Sequence, residues 1–300
     1  MATGRIKGEI RMEGNRSKSG CISWQDFLLS TERPDVWRSL IAAIAGDIAG
    51  SIYERRGTRI KTKDFPLFSG KCHPTDDTLM SIAVANALCT AYAENGNPSD
   101  DAVRNAVVAE MRRIGSLYPD AGYGAAFQKW ISNPVPYGSW GNGSAMRVSF
   151  VGHIAKSVEE ALHLAELTAD VSHNDPEGIK GAQAVALAVY LVRNGADKET
   201  VRMELAGRFG YNLSRTVDEI RPEYKFDASC PGSVPEAIIA FLDSTSYEDA
   251  VRNAVSLGGD ADTQACIAGA IAGVYYGMPE GIASEAFSYL CRYCRADVLV

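Results

Sequence analysis

The strongest constraint on this chain is a run of small residues standing behind a pair of aspartates. Gly258-Gly259-Asp260-Ala261-Asp262-Thr263 opens an apolar, small-residue segment that ends near Gly277. Such a segment reads as a buried helix, and it carries its carboxylates inward with it. A second cluster far upstream, Thr75-Asp76-Asp77-Thr78, also opens an apolar helical pattern. Each cluster sets two carboxylates and at least one hydroxyl at a predicted helix start. One aspartate at such a start is ordinary capping. Two acidic clusters, each backed by a buried segment, ask for more. If the fold joins them, four carboxylates share one small volume and cannot all stay ionised without a cation. Hard oxygen donors with no nearby His or Cys point to Mg or Mn ahead of Ca or Zn.

Composition narrows the rest. Three hundred residues with 46% hydrophobic and 22% charged content suit one large soluble domain or two small ones. A net charge of −7 argues against nonspecific binding to nucleic acid or anionic membrane. A phosphate-bearing ligand would therefore be held by local features: backbone N–H groups, an Arg or a metal. The first 38 residues show no sustained apolar run, so no secretory signal is expected. Leu40–Ile44 and Ile267–Tyr276 fall short of the ~20 residues that span a bilayer, and read as core helices. The seven cysteines are scattered, with Cys291 and Cys294 a lone CxxC and no second pair at zinc spacing. The chain reads as reduced and cytoplasmic.

Residues 1–37 read as an extension and 38–300 as the main domain. Residues 1–38 hold seven Lys or Arg against five Asp or Glu, in a chain acidic elsewhere. Their early part is polar and low in aliphatics, the composition of partly disordered chain. Trp24, Phe27, Leu28 and Leu29 follow as an apolar patch, either a tail that tucks onto the domain or a partner-binding arm. From Trp37 to Tyr53 the pattern is helical, and Ala42, Ala45, Gly46, Ala49 and Gly50 would let another backbone approach closely. Asp47 inside that run is either a satisfied buried carboxylate or support for a metal site. Further helices are expected at 78–93, 102–114, 157–170, 178–194, 197–209 and 234–256, with loop at 211–233. No convincing strand series, repeat or linker appears, so the fold class is all-α.

Pro134 to Arg147 is unlike the rest. Its alternating glycines leave backbone N–H groups approachable, as an anion-cradling loop requires, and Trp140 offers a stacking face. It matches neither a Walker loop nor a Rossmann fingerprint. A flexible surface turn is the plain alternative. His173, beside a helix start, reads first as a structural hydrogen-bonding group.

Gly46-Asp47 through Glu54, Thr75–Thr78, Gly138–Arg147, Ser172–Ala182 and Gly258–Thr263 together resemble the ADP-ribosylglycohydrolase family, in the family's order across about residues 38–290. The resemblance implies a compact, orthogonal helical bundle with a binuclear Mg or Mn centre. It implies metal ligands Thr75, Asp76 and Asp77 on one side and Asp260, Asp262 and Thr263 on the other. Asp260, Glu54 and Asp77 would be catalytic. Substrate would meet Gly122, Tyr123, Gly138, Ser139, Trp140, Gly141, Asn142, Gly143, Ser144, Met146 and His173. The diphosphate would lie on the glycine loop, and Trp140 or Tyr123 near the adenine. The implied activity is removal of ADP-ribose from arginine, serine or another acceptor. An alternative role is immunity against an ADP-ribosyltransferase toxin, by de-modification or by blocking with the N-terminal arm. Two positions depart from the family pattern: Asp175 stands where the bacterial branch commonly has a second histidine, and Cys72-His73-Pro74 precedes the first acidic cluster.

Overall fold

A computed structural model describes residues 24–31, 34–94 and 96–298. Their first part forms α1 (Trp24–Ser30), α2 (Pro34–Gly50), α3 (Asp76–Glu94), α4 (Asp100–Leu117) and α5 (Ala125–Ser132). Two short helices, α6 (Gly143–Met146) and α7 (Ser149–Ile154), lead to α8 (Val158–Asp170), α9 (Pro176–Arg193) and α10 (Lys198–Phe209). The last part holds α11 (Val217–Ile220), α12 (Cys230–Leu242), α13 (Tyr247–Ser256), α14 (Ala261–Tyr276) and α15 (Glu280–Tyr293). Among the described residues there is no β-strand beyond one isolated bridge between Gly141 and Ser229. The fold is all-α, as the periodicity predicts. No helix among these residues is long and apolar enough to cross a membrane.

The centre of the bundle is the pair α2 and α14. Residues Ala261 to Ala272 are buried without a break, which explains a helix with no polar face. A methyl group built on Gly46 would lie 2.1 Å from the Ala265 carbonyl oxygen, and one on Gly50 2.4 Å from that of Ala261. Backbone therefore touches backbone there. The pairing runs from Ala42 opposite Gly269 to Gly50 opposite Ala261, so the two helices are antiparallel. Antiparallel packing brings the end of α2 to the start of α14. Tyr247 of α13 locks the other side, its hydroxyl donating to the Ala42 carbonyl at 2.6 Å.

Two expectations need correction. The predicted helix 234–256 is two helices, because the Ser246 hydroxyl accepts from the Asp249 N–H at 3.1 Å and starts a new one. The predicted loop 211–233 contains α11 and the first turn of α12. Pro231 sits in that turn, where a missing N–H breaks no helical bond, and Ser229 caps it through the Gly232 N–H at 3.2 Å. At the chain start, Phe27 is buried against Trp37 and Phe287, with ring centroids 5.2 and 4.6 Å away. Leu28 is half-buried and Leu29 exposed. Residues 1–23, 32 and 33, the side chain of Trp24, and the expectations placed on them lie outside the described residues.

Candidate active site

Three helix ends meet at one point: the end of α2 and the starts of α3 and α14. Asp47, fully buried in the last turn of α2, ties the first two together. Its carboxylate accepts from the Thr75 N–H at 2.9 Å, the Thr75 hydroxyl at 2.7 Å, the Thr78 N–H at 3.2 Å and the Thr78 hydroxyl. It therefore caps α3 from another helix, which satisfies a charge that looked inconvenient inside α2. The open N–H groups at the starts of α3 and α14 favour negative charge, and both starts carry it.

The acidic clusters converge. Asp47, Asp77 and Asp262 each bring an oxygen to within 4.8 Å of the others, and so do Glu54, Asp260 and Asp262. Asp262 belongs to both groups and joins them. Burial raises every one of these carboxyls, and the neighbouring carboxylates add to the rise for Asp77, Asp262 and Glu54. The Asp76 carboxyl is pushed up to about 8 by burial and then by the charge of Asp47. One oxygen of Asp77 is buried with no hydrogen-bond partner. An orphaned carboxylate oxygen among clustered carboxylates and threonines, with oxygen the only donor type, fits a hard divalent cation.

The glycine-rich loop forms a wall of the same hollow. The Asn142 N–H donates to the Ala228 carbonyl at 2.8 Å, and the Cys230 N–H to that of Trp140 at 2.9 Å. The Ser144 hydroxyl donates to the Gly178 carbonyl at 2.7 Å. The loop is zipped to the start of α12 and pinned to α9, so it is not a free surface turn. Asn142 links the wall to the acidic floor, its amide donating to Asp260 at 2.8 Å and to the Ser233 hydroxyl at 3.2 Å. His173 is buried, with its Nδ1 2.8 Å from the Ser172 hydroxyl and its Nε2 facing Gly143. Burial, and then the Arg147 charge, hold its pKa well below the ordinary histidine value, so the ring is neutral near pH 7.

These walls enclose a cavity of about 410 Å³. Of the residues expected at the site, Glu54, Asp76, Asp77, Gly122, Ser139, Gly141, Asn142, Gly143, Met146, His173, Asp260, Asp262 and Thr263 line it. Thr75 stands behind, bonded to Asp47. Tyr123 and Ser144 are buried in the packing behind the wall, the Tyr123 ring 5.5 Å from Phe127. Trp140 is 57% exposed and lies with Gly138 outside the lining. The sequence reading assigned no site role to Phe226, Ala228, Tyr137 or Arg147, all of them lining residues. For Arg147 a signal existed, since it ends the glycine-rich stretch. Its guanidinium is buried, donates to Ser172 at 2.9 Å and to the Thr168 carbonyl at 3.1 Å, and keeps its Nε unpartnered. A larger hollow of about 560 Å³ between α1, α2 and α15 is walled by Leu28, Leu29, Ile41 and Met278 and holds no comparable cluster of acids.

Comparison with known proteins identifies the family. The family model for ADP-ribosylglycohydrolase matches residues 31–295. The chain is similar to the ADP-ribosylhydrolase ARH3 of Bos taurus, at 30% identity across 87% of this chain and 89% of that protein. The ADP-ribosylhydrolase ARH3 of Homo sapiens is 29% identical over 87% and 90%. ADP-ribosylarginine hydrolase Tri1 of Pseudomonas putida is 26% identical over 71% of this chain and 62% of its own. A solved structure of an ADP-ribosylglycohydrolase-related protein complex has the same fold, with a TM-score of 0.59 over 85% of this chain and 97% of that one at 22% identity. The fold is that of the all-helical ADP-ribosylglycohydrolases. This chain belongs to the ADP-ribosylglycohydrolase family.

Proposed function

We propose that this protein hydrolyses the bond between a ribose of ADP-ribose and the side chain of a modified protein, with two Mg²⁺ or Mn²⁺ ions at the acidic floor. The observation that carries the reading is the pair of carboxylate groups joined at Asp262, one of which includes the orphaned, buried Asp77 oxygen. Thr75, Asp76 and Asp77 would hold the ions from α3, and Asp260, Asp262 and Thr263 from α14. Asp47 spends its oxygens on Thr75 and Thr78 and so fixes the α3 ligands in place. When bound, the ions would supply charge that orients ribose hydroxyls and acidifies a water.

The chain's own groups would do the rest. Glycosidic cleavage passes through an oxocarbenium-like state, in which water adds to the anomeric carbon as the acceptor leaves with its electron pair and gains a proton. Asp260 is the proposed base for the water, held at one oxygen by Asn142. Glu54, with a pKa raised by burial and by Asp260, suits transfer of the proton to the leaving acceptor. The walls at Gly141 and Gly143 leave room for a diphosphate, and neutral His173 would offer a hydrogen bond rather than a charge.

The test is release of free ADP-ribose from arginine-, serine- and nucleic-acid-linked substrates, with Mg²⁺, with Mn²⁺ and with EDTA. Metal-dependent release from at least one substrate is expected. Release that EDTA leaves unchanged would overturn the metal assignment, and no release from any substrate would overturn the hydrolase reading.

A further inference from the structure

Past Glu54 the chain turns back and presents Arg59. The Arg59 Nε donates to the Glu54 carbonyl at 2.8 Å, so the guanidinium is anchored on the flank of that residue. Its plane lies over the Phe226 ring, 4.2 Å from the centroid, and Phe226 is a wall of the cavity. Stacking of this kind holds a guanidinium flat and leaves its outer N–H groups free to act. Among the described residues Arg59 takes part in no ion pair, although Glu54 and Asp260 stand within reach of its charge and other arginines of the chain are paired with acids. Arg55 and then Arg59 favour the ionised form of Glu54, and Arg59 also favours that of Asp260, so its charge reaches the floor. The result is a fixed positive charge, not cancelled by a direct partner, beside the residue assigned to meet the leaving acceptor.

We propose that Arg59, held by Phe226, is a specificity residue that disfavours cationic acceptors and so selects hydroxyl-linked over guanidinium-linked ADP-ribose. The inference rests on the hydrolase reading and on Glu54 facing the acceptor. An arginine acceptor brings its own guanidinium to that side, so two like charges would meet in a partly desolvated cleft. A serine acceptor is joined through an uncharged acetal oxygen and meets no such opposition. The acidic floor alone would do the reverse, since bare carboxylates attract a guanidinium. Arg59, fixed over Phe226 and reaching Asp260 as well as Glu54, thus sets the sign of the preference, with Arg55 adding positive charge at Glu54.

The measurement is kcat/KM for serine-linked and arginine-linked ADP-ribosyl peptides of the same sequence, using wild type, Arg59→Lys, Arg59→Gln, Arg59→Glu and Phe226→Leu. Wild type should favour the serine-linked peptide at least about tenfold, and Arg59→Glu should cut that ratio about tenfold. Arg59→Lys, which keeps the charge but not the planar stack, should keep the sign of the preference at a reduced ratio. Arg59→Gln should give a ratio between those of Arg59→Lys and Arg59→Glu, and freeing the side chain by Phe226→Leu should also lower it. In wild type the ratio should shrink as salt rises, because a charge filter is screened and a steric one is not. A ratio that stays unchanged in Arg59→Gln and Arg59→Glu, or a wild type that prefers the arginine-linked peptide, overturns the filter and leaves the hydrolase standing. Wild type that releases ADP-ribose from neither peptide, nor from any other conjugate, overturns the hydrolase reading and the filter with it.

Discussion

At the scale of single residues, the acidic floor behaves as one unit. Asp77→Asn keeps the shape but removes the charge next to the orphaned position. It should lower activity by at least about a hundredfold and abolish metal binding by calorimetry, with helical circular dichroism unchanged. Asn142→Ala tests the link between wall and floor. The Asn142 hydrogen bond lowers the Asp260 pKa, so its loss should raise that pKa and move the acid side of the kcat profile to higher pH. Without metal, the raised carboxyls keep protons in the folded chain that the unfolded chain has already released. For Asp76 this window runs from 3.8 to about 8. Stability of the EDTA-treated protein should therefore fall as pH rises through that range, and added Mg²⁺ or Mn²⁺ should raise Tm more at pH 8 than at pH 5. The floor itself was legible in the sequence, because aspartates beside threonines at helix starts are a local signal. Phe226 and Arg59 were not, because nothing local to a loop phenylalanine says which arginine will stack on it. Asp47 was half legible: its burial was expected, but its service as a cap for a helix starting 29 residues later is a tertiary fact.

Helices were legible to the extent that their ends carry capping chemistry. Ser99 caps α4 through the Ala102 N–H and Ser157 caps α8 through the Glu160 N–H. The break between α12 and α13 was written in Ser246 and Asp249, but continuous apolar periodicity on both sides concealed it. The close contact of α2 with α14 was foreshadowed by the small residues of α2, while the identity of the partner was not. That contact yields a direct test. Gly50→Ala would force a methyl group to within 2.4 Å of the Ala261 carbonyl and 2.5 Å of the Asp262 Cα. It should cost about 1–3 kcal/mol in denaturant unfolding, and weaken metal binding as well, because the displaced residue is the one both carboxylate groups share. Gly207→Ala, on an exposed helix with open space around its Cα, should be neutral or slightly stabilising in the same assay.

At the scale of the whole molecule, the first helix is part of the body it leads into. Phe27→Ala empties a site between Trp37 and Phe287 and should cost about 3 kcal/mol, with kcat unchanged at temperatures where the chain is folded. A chain beginning at residue 37 should lose stability for the same reason while keeping hydrolysis. The antiparallel α2–α14 pair has a further consequence for how the molecule is made. Ala42 and Tyr247, which hydrogen-bond across this core, are 205 residues apart. During translation α2 leaves the ribosome well before the helix that covers it, on the order of tens of seconds earlier at about 5–20 residues per second. The nascent chain must therefore carry the face of α2 that α14 covers bare until that later helix is made. Any release before residue 260 yields a product with neither a closed core nor a second half to its acidic floor. Catalytic competence in this protein thus waits on α14, and is reached only when two helices made far apart in time have been introduced to each other.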